Sequence, residues 1–137
     1  MTNPENLQID FHQVADSKRF WNRIKNPFLS SKERNLATLI ANHLPEGGKT
    51  VLEIGCGEGS NLFYLQEQLK DVNLFAIDFS KEKVHFIKTF LKIKGNAVCG
   101  NALHLPFGLQ KFDMVFCRDL LHHVNWARDQ VLSEAFR

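Results

Sequence analysis

Cysteine is scarce in this sequence, which has three among its 137 residues. Cys56, Cys99 and Cys117 are odd in number, lie far apart and show no Cys-x-x-Cys spacing. This pattern argues against a disulfide framework and against a structural zinc site. We therefore expect no bound metal, and the unpaired thiols favour a reducing compartment.

Long apolar runs are missing as well. No stretch approaches the ~18 consecutive apolar residues that a membrane-spanning helix requires. Residues 1–10 also lack the order of charged, then apolar, then small residues that marks a secretory signal. We therefore expect a cytoplasmic protein without a membrane span.

The chain has no strong excess of one charge, since its formal net charge is +2. Residues 1–50 carry seven basic and five acidic side chains, and the remainder carries ten of each. Nucleic-acid binders usually concentrate Lys and Arg on one face, so we expect no nucleic-acid partner. Hydrophobic residues make up 44% of the chain and include 12 Phe, which is enough for the core of one domain.

The most informative stretch is TVLEIGCGEGSN, at residues 50–61. An apolar run predicts a buried parallel strand that ends in a glycine-rich turn. Leucines spaced at i, i+3 and i+7 then predict a helix, which Ser60 or Asn61 is expected to cap. Strand, glycine turn and helix are typical of a nucleotide-binding α/β unit. The residues are Val51, Leu52 and Ile54, then Gly55, Gly57 and Gly59, then Leu62, Leu65 and Leu69.

The charges of this turn indicate which ligand it binds. Glycines leave no Cβ in the way, so a ligand can lie directly against the backbone. Glu53 and Glu58 lie in or beside the turn, and no Lys or Arg occurs between residues 51 and 61. Two carboxylates without a cation disfavour a pyrophosphate but suit a ligand with an ammonium and a sulfonium group. S-adenosylmethionine has both.

The pattern Glu-x-Gly-x-Gly-x-Gly from Glu53 to Gly59 resembles the first motif of class I S-adenosylmethionine-dependent methyltransferases. Three later stretches match that family in the same order, and LHHV at residues 121–124 resembles a segment of the quinone-biosynthesis methyltransferases. The resemblance implies S-adenosylmethionine as cofactor and a small-molecule methyl acceptor. It also implies a Rossmann-like α/β fold whose parallel strands lie in the order 3-2-1-4.

Apolar periodicity predicts the other elements. Residues 11–28, Val14 included, predict a covering helix after a loose arm at 1–10. Ser30 and Glu33 form a capping-box pattern that predicts the start of a second helix. We expect strands at 51–54, 73–78, 97–99 and 112–117, and helices at 62–70, 84–91 and 126–137.

This alternation of strands and helices predicts a parallel sheet with helices on both faces. Ser80 is expected to cap the helix at 84–91, and Gly95 to stop it. The chain is thereby divided into an amino-terminal helical segment over 1–45 and a cofactor-binding domain over 46–137. Because the family's sheet has seven strands, we expect the chain to be an amino-terminal piece of a longer enzyme, truncated at its carboxyl end.

Asp78 ends the second predicted strand, 23 residues beyond Gly55. A carboxylate there can accept hydrogen bonds from both ribose hydroxyls, because the ends of neighbouring parallel strands face one crevice. The alternative is an Asp that caps the helix after Ser80. Phe79 is expected either to pack on the adenine or to lie in the core.

The family resemblance supplies the remaining cofactor contacts. Asn101, with Ala102 and Leu103, resembles the adenine-binding turn, where its side-chain carbonyl would accept from the adenine amino group; the alternative is a turn-forming Asn. Glu53 resembles the acid that organises the methionine end. Contacts are also implied for Gly55, Cys56, Gly57, Gly59 and Asn61, and for Cys117 and Arg118 in part through the main chain.

His122 and His123 are the candidates for acid–base chemistry, because histidine titrates near neutral pH. In the similar methyltransferases such a pair more often forms the wall of the site than the base. Metal binding is disfavoured, since adjacent histidines point apart on a helix.

Two other functions stay open at this point. A nicotinamide-dependent oxidoreductase also uses a ribose-binding acid at this distance, although Gly-x-Gly-x-Gly and Glu58 argue against it. A noncatalytic module could keep the fold and the cofactor without turnover. The sequence leaves the acceptor and the oligomeric state open.

Overall fold

The computed structural model describes residues 17–137. The arm predicted at 1–10 and the start of the first predicted helix, Val14 included, lie outside the described residues. The helices are α1 (Ser17–Lys25), α2 (Pro27–His43), α3 (Ser60–Gln68), α4 (Lys81–Phe86) and α5 (Arg128–Phe136). A π-helix (Ile87–Leu91) follows α4, and a 3-10 helix (Asn125–Ala127) precedes α5. The strands are β1 (Thr50–Ile54), β2 (Asn73–Asp78), β3 (Gly95–Cys99) and β4 (Met114–Cys117).

The four strands form one parallel sheet in the order β3-β2-β1-β4, which confirms the predicted order. Ile54 at the end of β1 is in register with Ile77 of β2 and with Cys117 of β4. All four strands therefore end at the same edge of the sheet. Ligands of open α/β sheets bind at this edge.

The sheet has a core on each face because successive residues of a strand point to opposite sides. Val51 packs with α3 and the π-helix on one face, through Leu62, Leu65 and Ile87. Leu52 belongs to the other face, where Leu105 and Ala135 of α5 cover it. The predicted helices on both faces are thus confirmed.

The amino-terminal helices pack on the first of these faces. Phe20 of α1 is buried and makes edge-to-face contacts with Phe63 of α3 and Phe86 of α4. These helices therefore cover the same side of the sheet as α3 and α4. The boundary at residue 45 between a helical segment and a cofactor domain stays a prediction.

The predicted capping box of α2 is wrong. Asn26 is the N-cap, and its side chain accepts from the backbone N–H groups of Phe28 and Leu29. Pro27 occupies the first turn, where its missing N–H costs nothing. Ser30 therefore lies inside the helix, and Glu33 is buried instead of reaching back to a cap.

Two other helix ends differ from the sequence expectation. The N-cap of α3 is Gly59, without a side-chain cap, so neither Ser60 nor Asn61 has that role. The Ser80 cap of α4 is confirmed, because its side chain accepts from the N–H of Lys83. The π-helix ends at Lys92 in the left-handed conformation, three residues before the predicted stop, and Gly95 begins β3.

Over residues 17–137, no helix combines the length and the apolar character that crossing a bilayer requires. The predicted cytoplasmic location stays a prediction.

Candidate functional site

A cavity of about 1020 Å³ opens at the carboxyl edge of the sheet. Its walls come from the ends of β1, β2 and β3, from α1, and from the segment after β4. Most of the predicted site residues meet here, although they come from distant parts of the sequence. Those that line the cavity are Glu53, Gly55, Cys56, Gly57, Asn61, Asp78, Phe79, Asn101, Ala102, Leu103, Arg118, His122 and His123.

The glycine turn forms the floor of the cavity. Gly55 and Cys56 extend the pairing with β2 by donating their N–H groups to the carbonyl of Ile77. Gly57 has a φ of +55°, and a Cβ built on it would have no atom within 4 Å. The space in front of Gly57 is therefore open, and a ligand can reach the backbone there.

Gly59 and Cys117 do not line the cavity. Gly59 has a φ of +82°, and a Cβ on it would lie 2.5 Å from Cδ1 of Leu91 in the π-helix. This glycine is needed for close packing under the turn. The Cys117 side chain packs against the core on the α5 face, and burial raises the pKa of its thiol.

Asp78 joins β2 to the glycine turn. Its side chain is 6% exposed, its Oδ2 accepts from the N–H of Gly57 at 2.9 Å, and its Oδ1 accepts from the N–H of Ser80 at 2.9 Å. The residue thus stabilises the turn before α4 while it lines the cavity. The alternative of a helix-capping Asp is wrong, because Ser80 is the N-cap of α4, and the ribose-binding role stays a prediction. Each carboxylate oxygen can accept a second hydrogen bond.

Phe79 and Asn101 line the same cavity as Asp78. Phe79 is 51% exposed, which excludes the alternative of a core aromatic. Oδ1 of Asn101 accepts from the N–H of Leu103 at 2.9 Å. Asn101 therefore stabilises a turn, as expected from the alternative interpretation of a turn-forming Asn. It also lines the cavity.

Glu53 is 1% exposed and lies in β1, directly before the glycine turn. Its Oε1 accepts from Nδ2 of Asn61 at 2.7 Å, whereas its Oε2 has no hydrogen-bond partner among residues 17–137. Burial raises the pKa of Glu53 to about 8, against the lowering effects of the Asn61 hydrogen bond and the Arg118 charge. A buried oxygen without a partner in a cavity wall is a position for a cation or a hydrogen-bond donor.

Sequence reasoning missed a group of charged residues around Asn61. Arg118 donates from Nη1 to Oε2 of Glu33, and to Oδ1 of Asn61 at 3.1 Å. Arg23 donates to Oε1 of Glu33 at 3.1 Å. One signal existed in the sequence, because Glu33 precedes Leu36, Ala37 and Ile40 at helical spacing and so lies on the apolar face of α2.

The electrostatic argument from the sequence needs a correction at Glu58. Arg19 of α1 forms an ion pair with Glu58, and both residues line the cavity. The turn contains no Lys or Arg of its own, but the fold brings this cation to it from a distant helix. Glu58 therefore adds little net negative charge, and Glu53 and Asp78 are the acids that remain for a cationic ligand.

His122 and His123 lie in the wall after β4, and their ring centroids are 3.9 Å apart. They occupy turns instead of a helix, so the prediction that they point apart is wrong. Burial and the neighbouring His122 lower the pKa of His123. Within the described part of the chain, no group of three or more His, Cys, Asp and Glu residues could hold a metal ion.

Comparison with known proteins places this geometry in a family. A family profile described as "Methyltransferase domain" matches residues 51–137. An uncharacterized protein of Methanocaldococcus jannaschii is 39% identical over 83 residues, which are 61% of this chain and 34% of that protein. The phthiotriol/phenolphthiotriol dimycocerosates methyltransferase of Mycobacterium tuberculosis is 32% identical over 64% of this chain and 33% of its own length. The chain thus spans about a third of these relatives.

A third relative has a nucleic-acid substrate in its name. The tRNA U34 carboxymethyltransferase of Nautilia profundicola is 27% identical over 88% of this chain and 43% of its own length. Among solved structures, the magnesium protoporphyrin IX methyltransferase of Synechocystis PCC 6803 with bound SAM superposes with a TM-score of 0.66. It is 17% identical over 98% of this chain and 71% of that chain, so this likeness concerns the fold.

Proposed function

Since this chain belongs to the family of S-adenosylmethionine-dependent methyltransferases, we propose that its cavity binds the cofactor for methyl transfer to a small-molecule acceptor. The observation that carries the proposal is the pairing of an open glycine turn with a buried, unpartnered carboxylate oxygen of Glu53. Gly57 and Glu53 both line the cavity at the end of the strands.

The donor set fits S-adenosylmethionine at both ends. Asp78 has lone pairs left for ribose hydroxyls, beside the exposed ring of Phe79, which suits an adenine. Glu53, whose Oε2 has no hydrogen-bond partner among residues 17–137, suits the cationic methionine end. Arg118 and Asn61 supply polar groups at that same end.

When bound, S-adenosylmethionine supplies a methyl carbon that its positively charged sulfur has already activated. The chain's own residues then need to hold and orient the reactants and to exclude water. His122 and His123 are placed in the wall and are our candidates for receiving a proton from a hydroxyl or amine acceptor. The lowered pKa of His123 favours the neutral imidazole that such a role requires.

Two observations support a small-molecule acceptor. The cavity of about 1020 Å³ lies at the upper end of the usual range for small-molecule sites, about 300–1,000 Å³, so it has room for a cofactor and a compact second molecule. The net charge of +2 also lacks the basic excess of a typical nucleic-acid binder.

The first test is calorimetric titration of the chain with S-adenosylhomocysteine and, separately, with NAD. We expect binding of S-adenosylhomocysteine and none of NAD. Binding of NAD alone would show that the cavity serves an oxidoreductase.

The second test uses the enzyme encoded by the whole reading frame, radiolabelled S-adenosylmethionine and two acceptor panels. One panel contains lipophilic phenols and quinols, and the other contains unmodified tRNA. Label in the first panel is expected. Label confined to tRNA would overturn the small-molecule acceptor, and no label with intact cofactor binding would favour the noncatalytic module.

A further inference from the structure

Glu33 is the most deeply buried charged residue among residues 17–50, which precede the segment that the family profile matches. It lies on α2, is 3% exposed, and precedes the matched residues 51–137. Two guanidinium groups hold its carboxylate, with Arg23 on Oε1 and Arg118 on Oε2. A buried carboxylate needs such partners, because burial without them would cost several kcal/mol.

Arg118 connects Glu33 to the candidate cofactor site. The same Nη1 that reaches Glu33 also donates to Oδ1 of Asn61 at 3.1 Å. Asn61 in turn donates from Nδ2 to Oε1 of Glu53 at 2.7 Å. A continuous path of hydrogen bonds therefore runs from α2 to the carboxyl group of Glu53, whose other oxygen is buried and has no hydrogen-bond partner among residues 17–137.

This path fixes the orientation of the Asn61 amide. An amide has a carbonyl that accepts and an NH₂ group that donates, and the two can exchange places by rotation about one bond. Arg118 can only donate, so it binds the carbonyl and directs the NH₂ group toward Glu53. Without Arg118 in place, the rotated amide would turn its carbonyl toward the Glu53 carboxyl group.

We propose that Glu33 is a positioning residue for the cofactor site, which acts through Arg118 and Asn61 on the orientation of Glu53. The proposal rests on the function proposed above. It means that the amino-terminal helices, which the family profile does not match, contribute a side chain on which cofactor affinity depends.

The test is a double-mutant cycle with Glu33→Gln, Arg118→Gln and the double variant. The readout is the Kd of S-adenosylhomocysteine from calorimetric titration. We expect each single substitution to raise the Kd about tenfold. If Glu33 acts through Arg118, the double variant is no weaker than either single variant. Contributions that are independent of each other would instead give effects that multiply, and this result would contradict the proposed path.

Glu67→Gln is the matched control. Glu67 also forms an ion pair between α2 and α3, with Arg34 at 3.4 Å, but it is exposed and does not line the cavity. Its substitution is expected to leave the Kd within twofold of the wild-type value. A control that weakens binding as much as Glu33→Gln would assign the effect to general loosening of the helices and overturn the proposal.

Glu33→Asp keeps the experiment decisive if Glu33→Gln does not fold. Aspartate retains the carboxylate but is one methylene shorter, so it cannot hold both Arg23 and Arg118 in the same positions. We expect a Kd raised at least fivefold, and a wild-type Kd would overturn the proposal. Wild-type protein that fails to bind S-adenosylhomocysteine would contradict the proposed function itself, which separates the two failures.

Discussion

Oδ2 of Asp78 accepts the backbone N–H of Gly57 at 2.9 Å, across a separation of 21 residues. This hydrogen bond ties the end of β2 to the glycine turn after β1. The same carboxylate accepts the N–H of Ser80, so one side chain fixes both the turn and the start of α4. The shape of the cavity floor therefore depends on the charge of Asp78.

Asp78→Asn should weaken both the fold and cofactor binding. An Asn amide offers one accepting oxygen to two backbone donors, and hydrogen bonds to charged groups contribute about 1.5–3 kcal/mol each. We expect a loss of about 1–3 kcal/mol in the free energy of unfolding and a rise of at least tenfold in the Kd of S-adenosylhomocysteine. Urea denaturation measures the free energy of unfolding, and calorimetric titration measures the Kd. The variant Asp71→Asn, at an exposed position, is the control. An unchanged Kd would contradict the assignment of Asp78 to the cofactor site.

Glu53 should make the stability of the chain depend on pH. Its pKa is about 8 in the folded protein against an ordinary value of 4.5, so between these values the folded state holds a proton that the unfolded chain has released. Stability must then fall as the pH rises through this window and level off above it. Each pKa unit corresponds to about 1.4 kcal/mol. We expect the Tm to fall by several degrees between pH 6 and pH 8.5.

The control for this effect is Glu53→Gln, which cannot ionise and should remove most of the fall in Tm. Exposed Glu46→Gln should behave as the wild type does.

Binding of S-adenosylmethionine should also release protons at pH 7, because a cationic ligand favours ionised Glu53. Titration in buffers of different ionisation enthalpy detects this release, and equal release in Glu53→Gln would assign it to another group.

The double variant Arg19→Gln/Glu58→Gln should have a small effect on cofactor binding, in contrast to a change at Glu53. Because Arg19 and Glu58 form an ion pair, removing both charges leaves the net charge felt by a ligand unchanged. We therefore expect the Kd of S-adenosylmethionine to change by less than about fivefold, which corresponds to about 1 kcal/mol. A loss of tenfold or more would restore the simpler argument from the sequence, in which both carboxylates of the turn attract the ligand.

Asn26→Ala should destabilise the amino-terminal helices. Loss of an N-cap side chain typically costs about 1 kcal/mol, and Asn26 accepts from two backbone N–H groups of α2. Ser30→Ala removes only a hydroxyl inside the same helix and should cost less than about 0.5 kcal/mol. Chemical denaturation followed by circular dichroism distinguishes the two. The reverse order of costs would support the capping box at Ser30.

The sequence predicted the parts of this fold that depend on local pattern. Apolar runs located the strands, and the glycines located the turn, because both signals lie within a few residues. The prediction of the α2 N-cap failed because Asn26 and Ser30 are both good N-cap residues. Only the position of Pro27 favours Asn26. The π-helix left no recognisable signal between Ser80 and Gly95.

The missed part of the site depends on contacts between distant residues. Arg118 is 85 positions from Glu33, and Arg19 is 39 positions from Glu58. Such pairs depend on how α1 and α2 dock on the sheet, which periodicity does not specify. Glu33 showed only that a charge lies on an apolar helix face, without identifying its partner.

Gly59 lies against Leu91, and this packing links the carboxyl end of the sheet to an irregular helix. The N–H of Lys92 donates to the carbonyl of Ile87, five residues earlier, which is the wider spacing of a π-helix. Ile87 and Leu91 of this helix both approach the position that a Cβ of Gly59 would occupy. The irregular helix therefore supports the glycine turn from below, and a change in its pitch would alter the floor of the cavity.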